Sequence, residues 1–139
     1  LSHYEIHGGN LFISIAGSIG YVEVFRPLSS DRTILTENAA RIVVTENIVP
    51  EFLAAYMNGQ IMQKQIEEQK GTGGGVPKLA LFRIRNLLIA CPPIQEQRYI
   101  TDALDAADAR IRAEEATLAK LRQVKRGLMD DLLTGRVRV

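Results

Sequence analysis

The chain of 139 residues has a single cysteine, Cys91, no tryptophan and a formal net charge of only +1. One cysteine excludes an internal disulfide, which suits the reducing cytoplasm where we expect the protein to work. A charge so close to zero means that nucleic-acid binding can be argued only from local clusters. No apolar run approaches the ~20 residues that a membrane helix needs. The length and the apolar fraction of 46% therefore favour one globular core and no membrane partner.

Residues that could perform chemistry are not arranged in a familiar pattern. The glycine-rich stretch at 71–75 lacks the following Lys-Ser or Lys-Thr pair of a phosphate-binding P-loop, which disfavours nucleotide binding. His3, Glu5 and His7 would share one face of an extended strand, but no fourth metal ligand is apparent, so we expect surface strand residues there. Cys91 lies in an apolar run, which favours a buried thiol. We expect no catalytic residues, no metal and no cofactor.

Alternating apolar residues predict a small β-sheet in the first half of the chain. Strands are expected at 10–16 and 21–25, joined as a hairpin through the glycine-containing turn at 17–20. The β-branched run at 40–46 predicts a third strand, and the short apolar run at 87–91 predicts another.

Helical spacing of apolar residues predicts one amphipathic helix over 50–70. Pro50 suits its first turn, where a missing N–H costs nothing, and Gly71 suits its end. Gly59 is unfavourable inside this helix. The predicted fold class is therefore α+β, with a small β-sheet and one packed helix.

Pro92 and Pro93 separate this α+β part from a long helical pattern. They cannot both lie inside a helix or a central strand, but Pro93 fits the first turn of a helix that follows. We therefore predict a globular domain at 1–93 and a helix with its tail at 94–139, with Gly135 ending the helix.

The predicted helix carries a heptad stripe, stepping alternately by four and three residues. A helix over 94–133 would be about 60 Å long, roughly twice the span of a body of ninety residues, so the stripe requires another helix. The alternative is a helix packed on its own domain. The apolar members of the stripe, which we call the seam, are Ile100, Leu104, Ala107, Ile111, Leu118, Leu121, Leu128 and Leu132.

A basic stretch surrounds the glycine-rich loop. Between Gln69 and Gln95 there is no acidic residue, whereas four residues are basic: Lys70, Lys78, Arg83 and Arg85. Lysine and arginine supply salt-dependent attraction to phosphates, and glycines expose backbone N–H groups. The stretch predicts a phosphate-binding surface, of a kind that double-stranded DNA would fit, formed by four residues: Lys70, Thr72, Lys78 and Arg83. The alternative is an ordinary connection with incidental positive charge.

Several motifs in order along the chain resemble one family, the specificity subunits of type I restriction–modification systems. The most specific are PPIQEQRYI at 92–100, before the heptad helix, and LMDDLLTGRVRV at the end. Upstream, GGNLFISIAGSIGYV at 8–22 is similar to a segment of that family, with Asn10 where aspartate is usual. Other matching segments are TEN at 36–38, PEFLAAYMNGQ at 50–60 and GTGGGVPKL at 71–79.

The resemblance implies a non-catalytic subunit that recognises one half of a split DNA target. Its long helix would pair with a second conserved helix, and would dock methyltransferase subunits and through them the restriction subunits. Such subunits usually carry two recognition domains, so this chain corresponds to roughly half of one domain and one helix. In an isolated chain the missing helix would be replaced by a second copy, giving a homodimer.

Two other interpretations stay open at this point. The chain could be the target-recognition end of a fused restriction–methyltransferase enzyme, which an N-P-P-[YF] motif upstream would indicate. It could also be an assembly module that binds no DNA, which a salt-dependent binding experiment would reveal.

Overall fold

The computed structural model describes residues 4–30, 32–71 and 77–138, and within them it confirms the mixed α+β class. The strands are β1 (Glu5–Ile6), β2 (Leu11–Ser14), β3 (Val22–Val24), β4 (Thr33–Ile34) and β5 (Ala39–Ile42). The helices are α1 (Pro50–Asn58), α2 (Gln60–Gln69), α3 (Leu81–Ile84) and α4 (Ile94–Leu133).

The predicted hairpin forms the centre of a three-stranded antiparallel sheet with the order β3-β2-β5. Leu11 lies opposite Val24 on one side and Ile42 on the other. The third strand is shorter than the predicted 40–46, since it ends at Ile42. A surface strand was expected around His3, Glu5 and His7, and Glu5–Ile6 forms β1 there. Its partner β4 was not predicted, because two residues are too few to show alternation.

The core lies on one face of this sheet. Leu11 and Ile13 of β2 are fully buried, and their cross-strand neighbours Val24 and Val22 on β3 are buried beside them. The helices contribute a second layer, which includes Met62 and Ile66 of α2 together with Leu53 and Met57 of α1. Each such aliphatic side chain stabilises the fold by roughly 1.5–3 kcal/mol when buried.

The prediction of a single helix over 50–70 was wrong, because the backbone is extended at Gly59 (φ −70°, ψ 155°). Asn58, the last residue of α1, pairs its side-chain amide with the N–H and carbonyl of Val22. Gln63 of α2 donates to the Met57 carbonyl across the break. The break therefore places α1 and α2 separately against the sheet.

The prediction of a strand at 87–91 was also wrong, although the backbone there is hydrogen-bonded. Gln65 of α2 pairs with both the N–H and the carbonyl of Leu88, and the Tyr56 hydroxyl accepts from the Ala90 N–H. Side chains thus replace the neighbouring strand. Cys91 was predicted to be buried but is exposed, because only Leu87 of this run points into the core.

The long C-terminal helix is confirmed as α4, which spans 40 residues directly after Pro93. It ends as expected near Gly135, which has a positive φ of 70° and donates its N–H to the Leu132 carbonyl. By contact density the chain divides into two compact units, Leu1–Thr101 and Asp102–Val139, so the first two turns of α4 belong to the first unit. Among the described residues, no helix is both long and apolar enough to cross a membrane.

Candidate nucleic-acid interface

The base of the glycine-rich loop is held by an isolated antiparallel bridge between Gly71 and Lys78. The Gly71 N–H donates to the Lys78 carbonyl at 3.3 Å. The next residue, Leu79, is buried in the core and donates its N–H to the Ile15 carbonyl at 3.0 Å. Lys78 is therefore placed at the domain surface by a fixed backbone. Thr72, predicted to contact DNA, lies outside the described residues.

The basic residues around this loop are not equivalent. Lys78 and Arg85 are exposed. Lys70 is partly buried and forms an ion pair with Glu67, one turn back on α2. Arg83 donates to the Gln69 carbonyl at 2.6 Å, and its guanidinium carbon lies 5.6 Å from the centre of the Phe82 ring. Arg83 thus binds the C-terminal end of α2, where unpaired carbonyls favour a cation.

A second candidate surface is the seam of α4. Its large members are all exposed, from 36% at Ile100 to 59% at Leu121. Glu114 and Lys125 occupy the two heptad positions that are not apolar. Beyond Leu121 the apolar face widens, because further exposed side chains flank the seam: Val124, Met129 and Leu133. An exposed stripe of this length is typical of a helix that pairs with another helix.

Gln97 was not predicted as an important residue, although it lies within the motif at 92–100. It is fully buried at the start of α4, and its amide bonds backbone atoms of Asn47, Val49 and Pro92. Its partners in the loop before α1 lie about fifty residues away, so helical periodicity gave no signal. Its place in the motif PPIQEQRYI is the signal by which the sequence could have identified it.

The expected surface cluster at His3, Glu5 and His7 is only partly described, since His3 lies outside the described residues. Glu5, in β1, forms an ion pair with Arg32 at 2.9 Å. No three His, Cys, Asp or Glu side chains converge on a possible metal position within 4–30, 32–71 and 77–138.

The sequence was compared with models of known protein families. Residues 1–123 match the family described as the type I restriction modification DNA specificity domain. The match covers most of the 139 residues and includes both the α+β part and most of α4. The chain therefore belongs to this family, as its motifs predicted.

Proposed function

We propose that this chain gives a type I restriction–modification complex its DNA specificity by recognising one half of a split target. The methyltransferase subunits dock on α4, and the restriction subunits assemble through them in the cytoplasm. Adenine methylation and cleavage are performed by those partners, and this chain itself catalyses neither. The observation that carries the proposal is a family match that continues from the α+β part into a helix with an exposed apolar seam.

The exposed cations near the glycine-rich loop are the proposed contacts to the DNA backbone. Lys78 is the strongest candidate, because the bridge to Gly71 fixes its backbone while its side chain is exposed. Lys70 can contribute if a phosphate competes with Glu67 for its ammonium group. Arg83 remains a candidate through the part of its guanidinium that does not bind Gln69, and Thr72 through its hydroxyl.

Replacing Lys70 and Lys78 together by alanine tests this surface. Because phosphate contacts position a protein without reading bases, binding should weaken alike for cognate and unrelated duplexes. The slope of log K against log salt should fall by about one for each lost contact. Duplex binding by the assembled complex at several salt concentrations gives both quantities.

Lys64→Ala is the matched control, since Lys64 is an exposed lysine on α2 outside the acid-free stretch. It should change neither affinity nor slope. If the double variant behaves like this control, the loop is a connection and the DNA contacts lie elsewhere. If the intact complex shows no salt-dependent binding at all, the chain is an assembly module and the proposal of DNA recognition fails.

The seam also supports self-association of the isolated chain. The α4 helix of a second copy would then take the place of the second conserved helix. In a parallel pair, Glu114 would face its own counterpart, and so would Lys125. In an antiparallel pair centred between Leu118 and Leu121, Glu114 faces Lys125 of the second copy. The two polar interruptions of the seam then form an opposite-charge contact, which favours the antiparallel arrangement.

Charges beside the seam favour the same register. In this pair, the flanking residue Arg110 approaches Asp131 of the second copy, and Glu115 approaches Arg122. A shift by one heptad in one direction would place Glu115 against its own counterpart, and a shift in the other direction would do the same for Arg122. Charge complementarity therefore selects one register among the neighbouring ones.

A further inference from the structure

The side chain of Gln97 is the most completely buried polar group that the structure describes, with no exposed surface. Its Oε1 accepts from the Val49 N–H at 2.9 Å. Its Nε2 donates to the Asn47 carbonyl at 3.0 Å and to the Pro92 carbonyl at 2.8 Å. The Cys91 sulfur lies 3.7 Å from the same nitrogen. Both ends of the amide are thus bound.

These bonds join three separate pieces of backbone. Asn47 and Val49 belong to the loop before α1, Pro92 belongs to the segment between α3 and α4, and Gln97 itself is in the first turns of α4. One turn further along, the hydroxyl of Thr101 donates to the Gln97 carbonyl at 2.8 Å. All of these residues lie in the first compact unit, Leu1–Thr101.

Within α4, burial is confined to this anchor. Gln97 and Thr101 are its buried residues, whereas Gln95, Glu96 and Arg98 beside Gln97 are exposed. The large apolar residues of these turns are less buried than Gln97, since Ile94 is only partly buried and Tyr99 and Ile100 are exposed. An amide with two directed ends sets both the rotation and the axial position of a helix, whereas an apolar contact would allow it to slide.

We propose that Gln97 is a positioning residue that locks the first turns of α4, as far as Thr101, into the recognition domain. The inference concerns the joint itself and does not depend on DNA recognition. It is important for the proposed function, because the methyltransferase subunits are proposed to dock on the helix that begins at this joint. Without Gln97, the extended residues before Ile94 would act as a hinge.

Distances between spin labels across the joint test the proposal in the full chain. Labels are attached at Lys64→Cys on α2 and Arg98→Cys in the first turns of α4, both exposed, away from the seam and within the first compact unit. Cys91→Ser removes the native thiol and keeps an acceptor for the Gln97 amide. Dilution with unlabelled chain restricts the measurement to distances within one copy, and thermal unfolding is followed on the same samples.

Gln97→Leu keeps the approximate size of the side chain but leaves the Val49 N–H and the two carbonyls without their partner. We expect a distance distribution at least about twofold broader than that of the parent, while the domain still unfolds cooperatively. Gln95→Leu, in the same turn but exposed, should leave the distribution unchanged. A narrow distribution in folded Gln97→Leu would overturn the proposal.

Gln97→Asn keeps the amide but shortens the side chain. It takes the place of Gln97→Leu in the distance measurement if Gln97→Leu does not fold. A folded Gln97→Asn with a broadened distribution supports the positioning role, and one with a parental distribution overturns it. If both variants lose the cooperative unfolding of the domain, Gln97 is a structural residue of the domain as a whole, and the positioning role is likewise overturned.

Discussion

In the part of the chain that the structure describes, three side-chain amides each bond both an N–H and a carbonyl of distant backbone. Asn58 accepts from the Val22 N–H at 3.1 Å and donates to the Val22 carbonyl at 2.7 Å. Gln65 makes the same pair of bonds with Leu88, and Gln97 makes an equivalent set with Asn47 and Val49. A primary amide offers both a donor and an acceptor, as a peptide group does, whereas an ionised carboxylate only accepts. An ionised aspartate or glutamate in place of these residues would therefore lose the bond to the carbonyl in each pair.

At the turn between β2 and β3, Gly20 is restricted by both its backbone and its neighbours. Its φ is +89°, and an added Cβ would lie 2.9 Å from Cγ2 of the fully buried Ile66. Left-handed backbone costs an alanine about 1–2 kcal/mol, and overpacking costs a similar amount or more. We expect Gly20→Ala to lower the free energy of unfolding by about 2–4 kcal/mol, measured by urea denaturation.

Gly17→Ala separates the two effects, because Gly17 has a φ of +72° in the same turn but nothing within 4 Å of an added Cβ. Gly17→Ala should lower the free energy of unfolding by about 1–2 kcal/mol, because only the left-handed backbone opposes the alanine. Equal losses for the two variants would show that Ile66 moves aside, and that the core beneath this turn is less closely packed than the structure indicates.

At the scale of elements, apolar periodicity predicted the helices and strands that depend mainly on local sequence. The long helix α4 and the hairpin of β2 and β3 were predicted because their apolar residues repeat at helical or strand spacing. The division at Gly59 and the absence of a strand at 87–91 could not be predicted, because both depend on side chains of distant elements. Asn58 bonds Val22, which is 36 residues away, and Gln65 bonds Leu88, which is 23 residues away.

The proposed register of paired α4 helices predicts the behaviour of a charge exchange. Glu114→Lys alone, or Lys125→Glu alone, places like charges together at both ends of the antiparallel pair. Each single variant should weaken self-association about tenfold or more, because like charges in a helix interface are costly. The double variant should restore most of the self-association. Sedimentation equilibrium at one salt concentration compares the parent, the two single variants and the double variant.

No recovery in the double variant would mean that these two side chains do not face each other. A helix pair would then exist in another register, and the contacts of Arg110 and Glu115 proposed above would be lost with it. Weakening that disappears at high salt would be consistent with the proposed contact, since exposed charges are screened.

At the scale of the whole molecule, the exposed seam predicts the oligomeric state. Each large apolar residue of the seam gains about 1.5–3 kcal/mol when buried, so two chains should associate through α4. Ile111→Asp combined with Leu118→Asp should give a monomer with unchanged unfolding of the domain, measured by sedimentation velocity and circular dichroism. A parent chain that remains a monomer at high concentration would contradict the pairing.

Ala109→Asp combined with Ala116→Asp is the matched control, because these residues have the same spacing on the opposite face of α4. That variant adds the same negative charge and also introduces two residues of low helix propensity, but it should still form the helix pair. Loss of pairing in both variants would indicate that total charge or helicity, rather than the seam, controls association.

The sequence alone could identify the basic stretch of the candidate interface. It could not show which of the basic side chains are exposed and which are bound by other parts of the protein. The ion pair of Lys70 could have been expected, because Glu67 lies three residues before it on the predicted helix. The exposure of Lys78 after the loop is shown by the structure alone. Arg83 is similar to Lys78 in sequence but binds the end of α2. Such differences arise from packing, which composition does not reveal.

The seam of α4 also affects how the protein would be handled in a living cell. Helices in water gain most of their stability from packing, so an α4 without a partner should open and reclose readily and expose its peptide bonds to proteases. A chain that has found its partner would bury the same bonds and persist. Degradation would then remove surplus subunits, so that the amount of specificity protein follows the amount of its partners without a separate regulator.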